Sequence, residues 1–153
     1  MKLFENFKRS TNNNQDNNKI VLFVCVQNAG RSQMAEGFFK KYAPNGFKTL
    51  SAGTKPAYHL NPIVVEAMKE VGIDISKQKS KELTDEMIRE SDNIVNMGCM
   101  DKNFCPTIWL PKVIEWGLED PKGRSIEEVR AIRDEVEKRV KELVAEITTT
   151  TQR

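Results

Sequence analysis

Ile20-Val-Leu-Phe-Val-Cys-Val-Gln-Asn-Ala-Gly-Arg-Ser-Gln-Met-Ala-Glu-Gly37 is the stretch around which the chain is organised. Ile20 to Val24 are five consecutive apolar residues, mostly β-branched and with no polar alternation. A strand buried on both faces of a parallel sheet reads this way. From Ser32 to Tyr42 the period changes: Met34, Ala35, Phe38, Phe39 and Tyr42 recur at threes and fours, which predicts a helix. Cys25 to Arg31 is then a strand-to-helix turn.

A turn of this kind suits a tetrahedral oxyanion. The backbone N–H groups of Val26, Gln27, Asn28, Ala29, Gly30 and Arg31 converge with the free N–H groups of the helix start, where the helix dipole adds partial positive charge. Asn28 and Gly30 are residue types that tolerate the backbone angles of such a nest. Arg31 supplies a planar fork for two anion oxygens. The same field, with a hydrogen bond from Ser32, favours the thiolate form of Cys25, and the thiolate is the nucleophile. Five residues between Cys25 and Arg31 let the loop circle the anion and bring the guanidinium back over the sulfur. An isolated Cys-x5-Arg is more often a buried cysteine. Here the strand before, the helix after, and the asparagine and glycine within reverse that balance. A nucleotide-binding Walker loop is excluded, because the Gly-Lys-Ser/Thr ending is missing.

The 153 residues suit one domain with a real core. A net charge of +2 gives no basic field for nucleic acid, so the positive charge that matters is local to the turn. No signal peptide or membrane-length apolar run is present, and a cytoplasmic monomer is expected. Thr11-Asn-Asn-Asn-Gln-Asp-Asn-Asn18 is too polar to bury, so residues 1–19 are expected to be a flexible tail. Leu3, Phe4 and Phe7 are its apolar exceptions. The catalytic domain is expected over residues 20–147, and Thr148 to Arg153 to fray.

Along the domain, Phe47–Ser51 reads as a second strand, and Asn61-Pro62 as N-cap and first residue of a second helix ended by Gly72. The lysine-rich loop from Ile73 to Lys81 reads as a solvated face, and the lone histidine, His59, as an exposed loop residue. Thr84 is expected to cap a short helix, Asp85–Glu90. Asn93–Met97 and Lys112–Trp116 are the third and fourth strands. Ser125-Ile-Glu-Glu128 is a capping box opening a long helix whose stripe runs from Ile126 to Ile147. The whole predicts an α/β fold: a four-stranded parallel sheet with helices on both faces, the turn lying at the carboxyl edge where such sheets bind ligands.

Three cysteines, Cys25, Cys99 and Cys105, are more often catalytic or redox-active than structural in a reducing compartment. Cys99 and Cys105 with one distant histidine fall short of a zinc set, and a dithiol that closes to a disulfide fits better. No metal site is expected from the residues themselves.

Val24-Cys-Val-Gln-Asn-Ala-Gly-Arg-Ser-Gln-Met-Ala-Glu-Gly37 resembles the signature of the low-molecular-weight tyrosine phosphatase superfamily, and in Arg31 to Gly37 its thioredoxin-coupled arsenate reductase branch. Ser51-Ala-Gly-Thr54, Asn61-Pro62, Val71-Gly-Ile-Asp-Ile75 and Asp120-Pro121 match in order, so the resemblance covers about residues 20–147. It implies strand order 2-1-3-4, and arsenate reduction by a relay of Cys25, Cys99 and Cys105 with Arg31 and Ser32 at the turn and Asp120 as acid. It implies no tightly bound cofactor, an external thioredoxin-like protein as reductant, and a potassium ion held in some members near Asn28, Glu36 and Ser51. The rival it leaves open is a tyrosine phosphatase that uses Cys25, Arg31, Ser32 and Asp120 to make and hydrolyse a phosphocysteine. Lys122-Gly123 stand where those phosphatases usually place aromatic residues, which leans toward reduction; weak phosphatase activity is an expected by-product. A module that binds the oxyanion or senses redox state without turnover is the non-enzymatic alternative. The turn departs from the bacterial reductases in reading Gln27-Asn-Ala-Gly30 in place of Gly-Asn-Ser-Cys, and Cys99 and Cys105 are one residue closer together.

Overall fold

A computed structural model describes residues 18–98 and 113–151. Lys19–Cys25 forms β1, whose last five residues are buried. That burial on both faces is why the segment carries no polar alternation. β1 is central: it pairs in parallel with β2 (Phe47–Gly53) on one side and with β3 (Asn93–Asn96) on the other. β4 (Val113–Glu115) pairs in parallel with β3, giving the expected order β2-β1-β3-β4.

The side chains of β1 alternate between two cores. Val21, Phe23 and Cys25 face the larger one, with α1 (Arg31–Tyr42), α2 (Pro62–Glu70) and α4 (Ile126–Thr151) packed over them. Phe23, Phe38 and Phe39 are at most 1% exposed, and burying each contributes about 1.5–3 kcal/mol. Phe23 meets Phe39 edge to face, with ring centroids 5.9 Å apart. Leu22 and Val24 point to the opposite face, where Ala52, Ile94 and Ile88 of α3 (Asp85–Glu90) complete a smaller core.

The caps follow the sequence. Asn61 Oδ1 accepts from Ile63 N–H at 3.0 Å, and Thr84 Oγ1 accepts from Met87 N–H at 3.2 Å. Ser125 Oγ accepts from Glu128 N–H at 3.2 Å, while the Glu128 carboxylate takes the Ser125 hydroxyl and the Arg124 guanidinium. At the carboxyl end, α4 continues through Thr151, past the position where fraying is expected. Thr148 and Thr149 hydroxyls donate to the carbonyls of Val144 and Ala145, so these threonines bond back to the helix instead of competing with it. Among the described residues no helix is long and apolar enough to cross a membrane.

Candidate active site

Cys25 ends β1, and the chain then loops to Arg31, where α1 begins. Every carbonyl of this turn is bonded to protein outside the loop's centre. Cys25 O accepts from Thr54 N–H, Val26 O from Lys55 N–H and Gln27 O from Ala57 N–H. Asn28 O accepts from Gln33 Nε2, Ala29 O from Asn61 N–H and Gly30 O from Met34 N–H. The Ser80 hydroxyl is shared between Gln27 O at 2.7 Å and Asn28 O at 2.9 Å. With its carbonyls drawn outward, the loop turns its N–H groups toward the middle, which is the polarity an anion needs. Asn28, at φ 50°, is the left-handed residue that closes the curve. Its own N–H donates to Cys25 Sγ at 3.3 Å.

Asn28 also orders the hydrogen bonds around the sulfur. Its Oδ1 accepts from the backbone N–H of Lys81 at 2.8 Å, which can only donate, so the amide orientation is set. Nδ2 therefore donates to Ser32 Oγ at 2.7 Å. Ser32 Oγ in turn lies in hydrogen-bond reach of Cys25 Sγ, 2.8 Å away. Asn28 N–H therefore points at a sulfur that is 2% exposed, and Ser32 Oγ is its second hydrogen-bond partner.

Arg31 is held from the far side. Nη1 donates to Met97 O at 2.9 Å and to Leu118 O at 3.2 Å, and Nη2 lies 3.6 Å from Asp120 Oδ2. Gly98, just past β3, has φ 114°, and a Cβ there would meet Arg31 Nη1 at 2.3 Å. Asp120 is half exposed, with Oδ1 accepting from Lys122 N–H at 3.0 Å. Cys25, Gln27, Ala29, Gly30, Arg31, Asn61, Asp120, Pro121 and Lys122 line one small cavity. The structure thus brings Cys25, Arg31, Ser32 and Asp120 together with the turn. Cys99 and Cys105 lie outside the described residues.

Two readings of the sequence need revision, and a third residue had no reading of its own. Gly30 has φ −136°, so the reason for glycine there is space: a Cβ would meet Pro121 Cγ at 2.7 Å. The lysine-rich loop is not simply a solvated face, since Lys79 O accepts from Gln33, and Ser80 and Lys81 clamp Gln27 and Asn28. Gly53 was legible only as part of a motif; a Cβ there would meet Val26 O at 2.5 Å and Asn28 N at 2.8 Å, so a side chain at the end of β2 would push the turn out of place. The signal for the first and third is a glycine at a strand end or beside a cysteine turn.

Glu36, 5% exposed, faces Ser51 on the same side of the turn. Ser51 Oγ donates to Glu36 Oε1 at 2.9 Å, Lys40 Nζ lies 3.1 Å from Oε2, and Lys81 Nζ lies 3.8 Å from Oε1 and 3.4 Å from Ser51 Oγ. Burial lowers the Lys81 ammonium below its ordinary lysine value, and the Glu36 carboxylate acts against that shift.

Residues 20–153 match the family described as low molecular weight phosphotyrosine protein phosphatase. The chain belongs to this family. Among phosphatase-family relatives, the chain is 40% identical over 127 residues to an arsenate reductase of Brevibacillus brevis, covering 82% of this chain and 94% of that one. A solved thioredoxin-dependent arsenate reductase of Corynebacterium glutamicum superposes with a TM-score of 0.72 at 38% identity, covering 87% of this chain and 63% of the longer protein. An arginine phosphatase of Geobacillus stearothermophilus superposes with a TM-score of 0.78 at 26% identity, over 88% of this chain and 96% of that one.

Proposed function

We propose that this protein is an arsenate reductase that works through Cys25, Cys99 and Cys105 and is returned to its dithiol state by a thioredoxin-like protein. The observation that carries the reading is the turn whose carbonyls all bond outward while Asn28 N–H and Ser32 Oγ converge on Cys25 Sγ. Arsenate reductases at about 40% identity over most of the chain support the substrate.

In this mechanism arsenate sits in the nest with two oxygens on the Arg31 guanidinium. The Cys25 thiolate attacks arsenic, forming an S–As bond, and Asp120 gives its proton to the departing oxygen, which leaves as water. Cys99 thiolate then attacks Cys25 Sγ. The S–As bonding pair passes to arsenic, which leaves as arsenite, reduced by two electrons, and a Cys25–Cys99 disulfide remains. Cys105 attacks Cys99 in turn, freeing Cys25 as thiolate and moving the disulfide to the pair 99 and 105, where an external dithiol reduces it. Gly98, the residue before Cys99 in the sequence, lies against Arg31.

A phosphatase reading uses the same turn with Asp120 activating water on a phosphocysteine, and the arginine phosphatase likeness keeps it in view. The discriminating experiment measures two activities for the wild type, C25S, C99S and C105S. One is arsenate turnover with thioredoxin, thioredoxin reductase and NADPH; the other is hydrolysis of a phosphotyrosine substrate. C25S is expected to lose both, and C99S and C105S only arsenate turnover. Normal arsenate reduction by either loop variant would sink the relay.

A further inference from the structure

A large cavity lies away from Cys25, which is not among its lining residues. It is a groove of about 790 Å³ at the amino end of the sheet, in the size range of ligand sites. It wraps the outer edge of β2 between α1 and α3, and its apolar lining comes from Ile20, Phe39, Phe47, Leu50 and Met87. β2 is an edge strand. At its carboxyl end the outward groups of Gly53 are already taken, Gly53 N–H by Lys81 O and Gly53 O by Leu83 N–H. By strand alternation, the backbone groups of Phe47 and Thr49 point the same way as those of Gly53, into the groove. Edges of this kind are normally covered.

We propose that the groove is the docking site of this chain's own amino-terminal stretch, with Leu3, Phe4 and Phe7 as the apolar anchors. Three observations single out this occupant. The first is the tether: Asn18 lines the groove, and ten residues, 8–17, separate it from Phe7. A polar coil of that length spans about 18 Å, so the anchors are held near the groove at an effective concentration no separate peptide reaches. The second is composition. After Phe7 the segment has no large apolar residue before Ile20, whereas Leu3, Phe4 and Phe7 are spaced by three and four, the pattern of one helical face. The third is charge. Lys2, Lys8 and Arg9 flank the anchors, and Glu86 and Glu90 of α3 line one wall of the groove; Glu5 has Lys40 and Lys48 on the other wall. The Asn-rich run is then a spacer between an anchor and β1.

The test uses the full chain. With p-benzoylphenylalanine at position 7, irradiation of a dilute sample is expected to give an intramolecular cross-link to Met87 or to the 43–50 peptide, located by mass spectrometry on the monomer band. In parallel, the L3S/F4S/F7S variant is expected to lower Tm by about 4 °C with arsenate turnover unchanged. A cross-link formed only between two chains makes a second copy the occupant and overturns the proposal. So does a cross-link elsewhere, no cross-link at all, or an unaltered Tm in the triple variant.

Discussion

The turn from Cys25 to Gly30 and the loop from Gly117 to Gly123 face each other across one cavity, yet they are held by different means. Each of the six carbonyls of the turn has a donor, drawn from the chain after β2, from α1, from the start of α2 and from Ser80. Asn28 at its centre is fully buried. The opposite loop makes mostly local bonds, Lys122 N–H to Asp120 Oδ1 and Arg124 Nε to Asp120 O, and its carboxylate is half in water. Its ties to the turn and to Arg31 are Pro121 against Gly30, Leu118 O on Arg31 Nη1, and Asp120 Oδ2 3.6 Å from Arg31 Nη2. A group that must match a fixed tetrahedron is determined from many sides, while a group that hands over a proton needs only reach and solvent access. Damage to the groups that hold the turn in place should therefore cost both activity and stability, and damage to its nucleophile or to the loop activity alone.

The largest effect tests whether both regions serve one sulfur. Cys25→Ser is expected to reduce arsenate and phosphatase turnover by about 10⁴-fold or more, with a Tm close to wild type. Residual turnover within tenfold of wild type would mean that the cavity's chemistry is elsewhere. Next comes Asp120→Asn, expected to lower kcat by about 10³-fold with Tm unmoved, because the side chain is half exposed. A large Tm loss there would erase the contrast between the two regions.

Gly98→Ala should behave as a lesion of the turn although it lies after β3. The added Cβ overlaps Arg31 Nη1, and φ of 114° is costly for alanine. Activity is expected to fall about 10²-fold and stability by about 2 kcal/mol, read by denaturant unfolding. Ser32→Ala is milder. It removes one hydrogen-bond partner from Cys25 Sγ and strands Asn28 Nδ2, so kcat should fall about tenfold and stability by about 1 kcal/mol. If Ser32→Ala lost activity but no stability, Asn28 would have another partner for its amide.

These lesions also show where the sequence was legible. Buried β1, the period change at Ser32 and the caps at Asn61 and Thr84 are local patterns, and each lies where its pattern puts it. Cys25, Arg31 and Ser32 were readable because their spacing is short and the strand-to-helix context is local. Ser80 and Lys81 were not, because they reach the turn from more than fifty residues away, and a lysine-rich run looks the same whether it is solvated or clamping a backbone. Gly53 and Gly98 carry no chemistry of their own, and only the atoms they approach reveal why they are glycines.

The smallest effect separates backbone from charge at Lys81. Its N–H fixes Asn28 Oδ1, whereas its ammonium sits between Glu36 and Ser51. Lys81→Met keeps the first and removes the second, so turnover should change no more than about threefold, while the nearly buried Glu36 loses a partner. Breaking a buried ion pair costs about 3–5 kcal/mol, but Lys81 is one-third exposed and Lys40 still faces Glu36, so a loss of about 1 kcal/mol is expected. The ammonium lies 3.8 Å from Glu36 Oε1 and 3.4 Å from Ser51 Oγ, two of the three residues near which the family resemblance implies a potassium ion, and the third, Asn28, has its Oδ1 accepting from Gln33 Nε2 and Lys81 N–H. Replacing potassium by tetramethylammonium at constant ionic strength should therefore leave the wild-type Tm unchanged and lower that of Lys81→Met. A wild-type Tm that rises with potassium would show that the cation and the lysine do not compete.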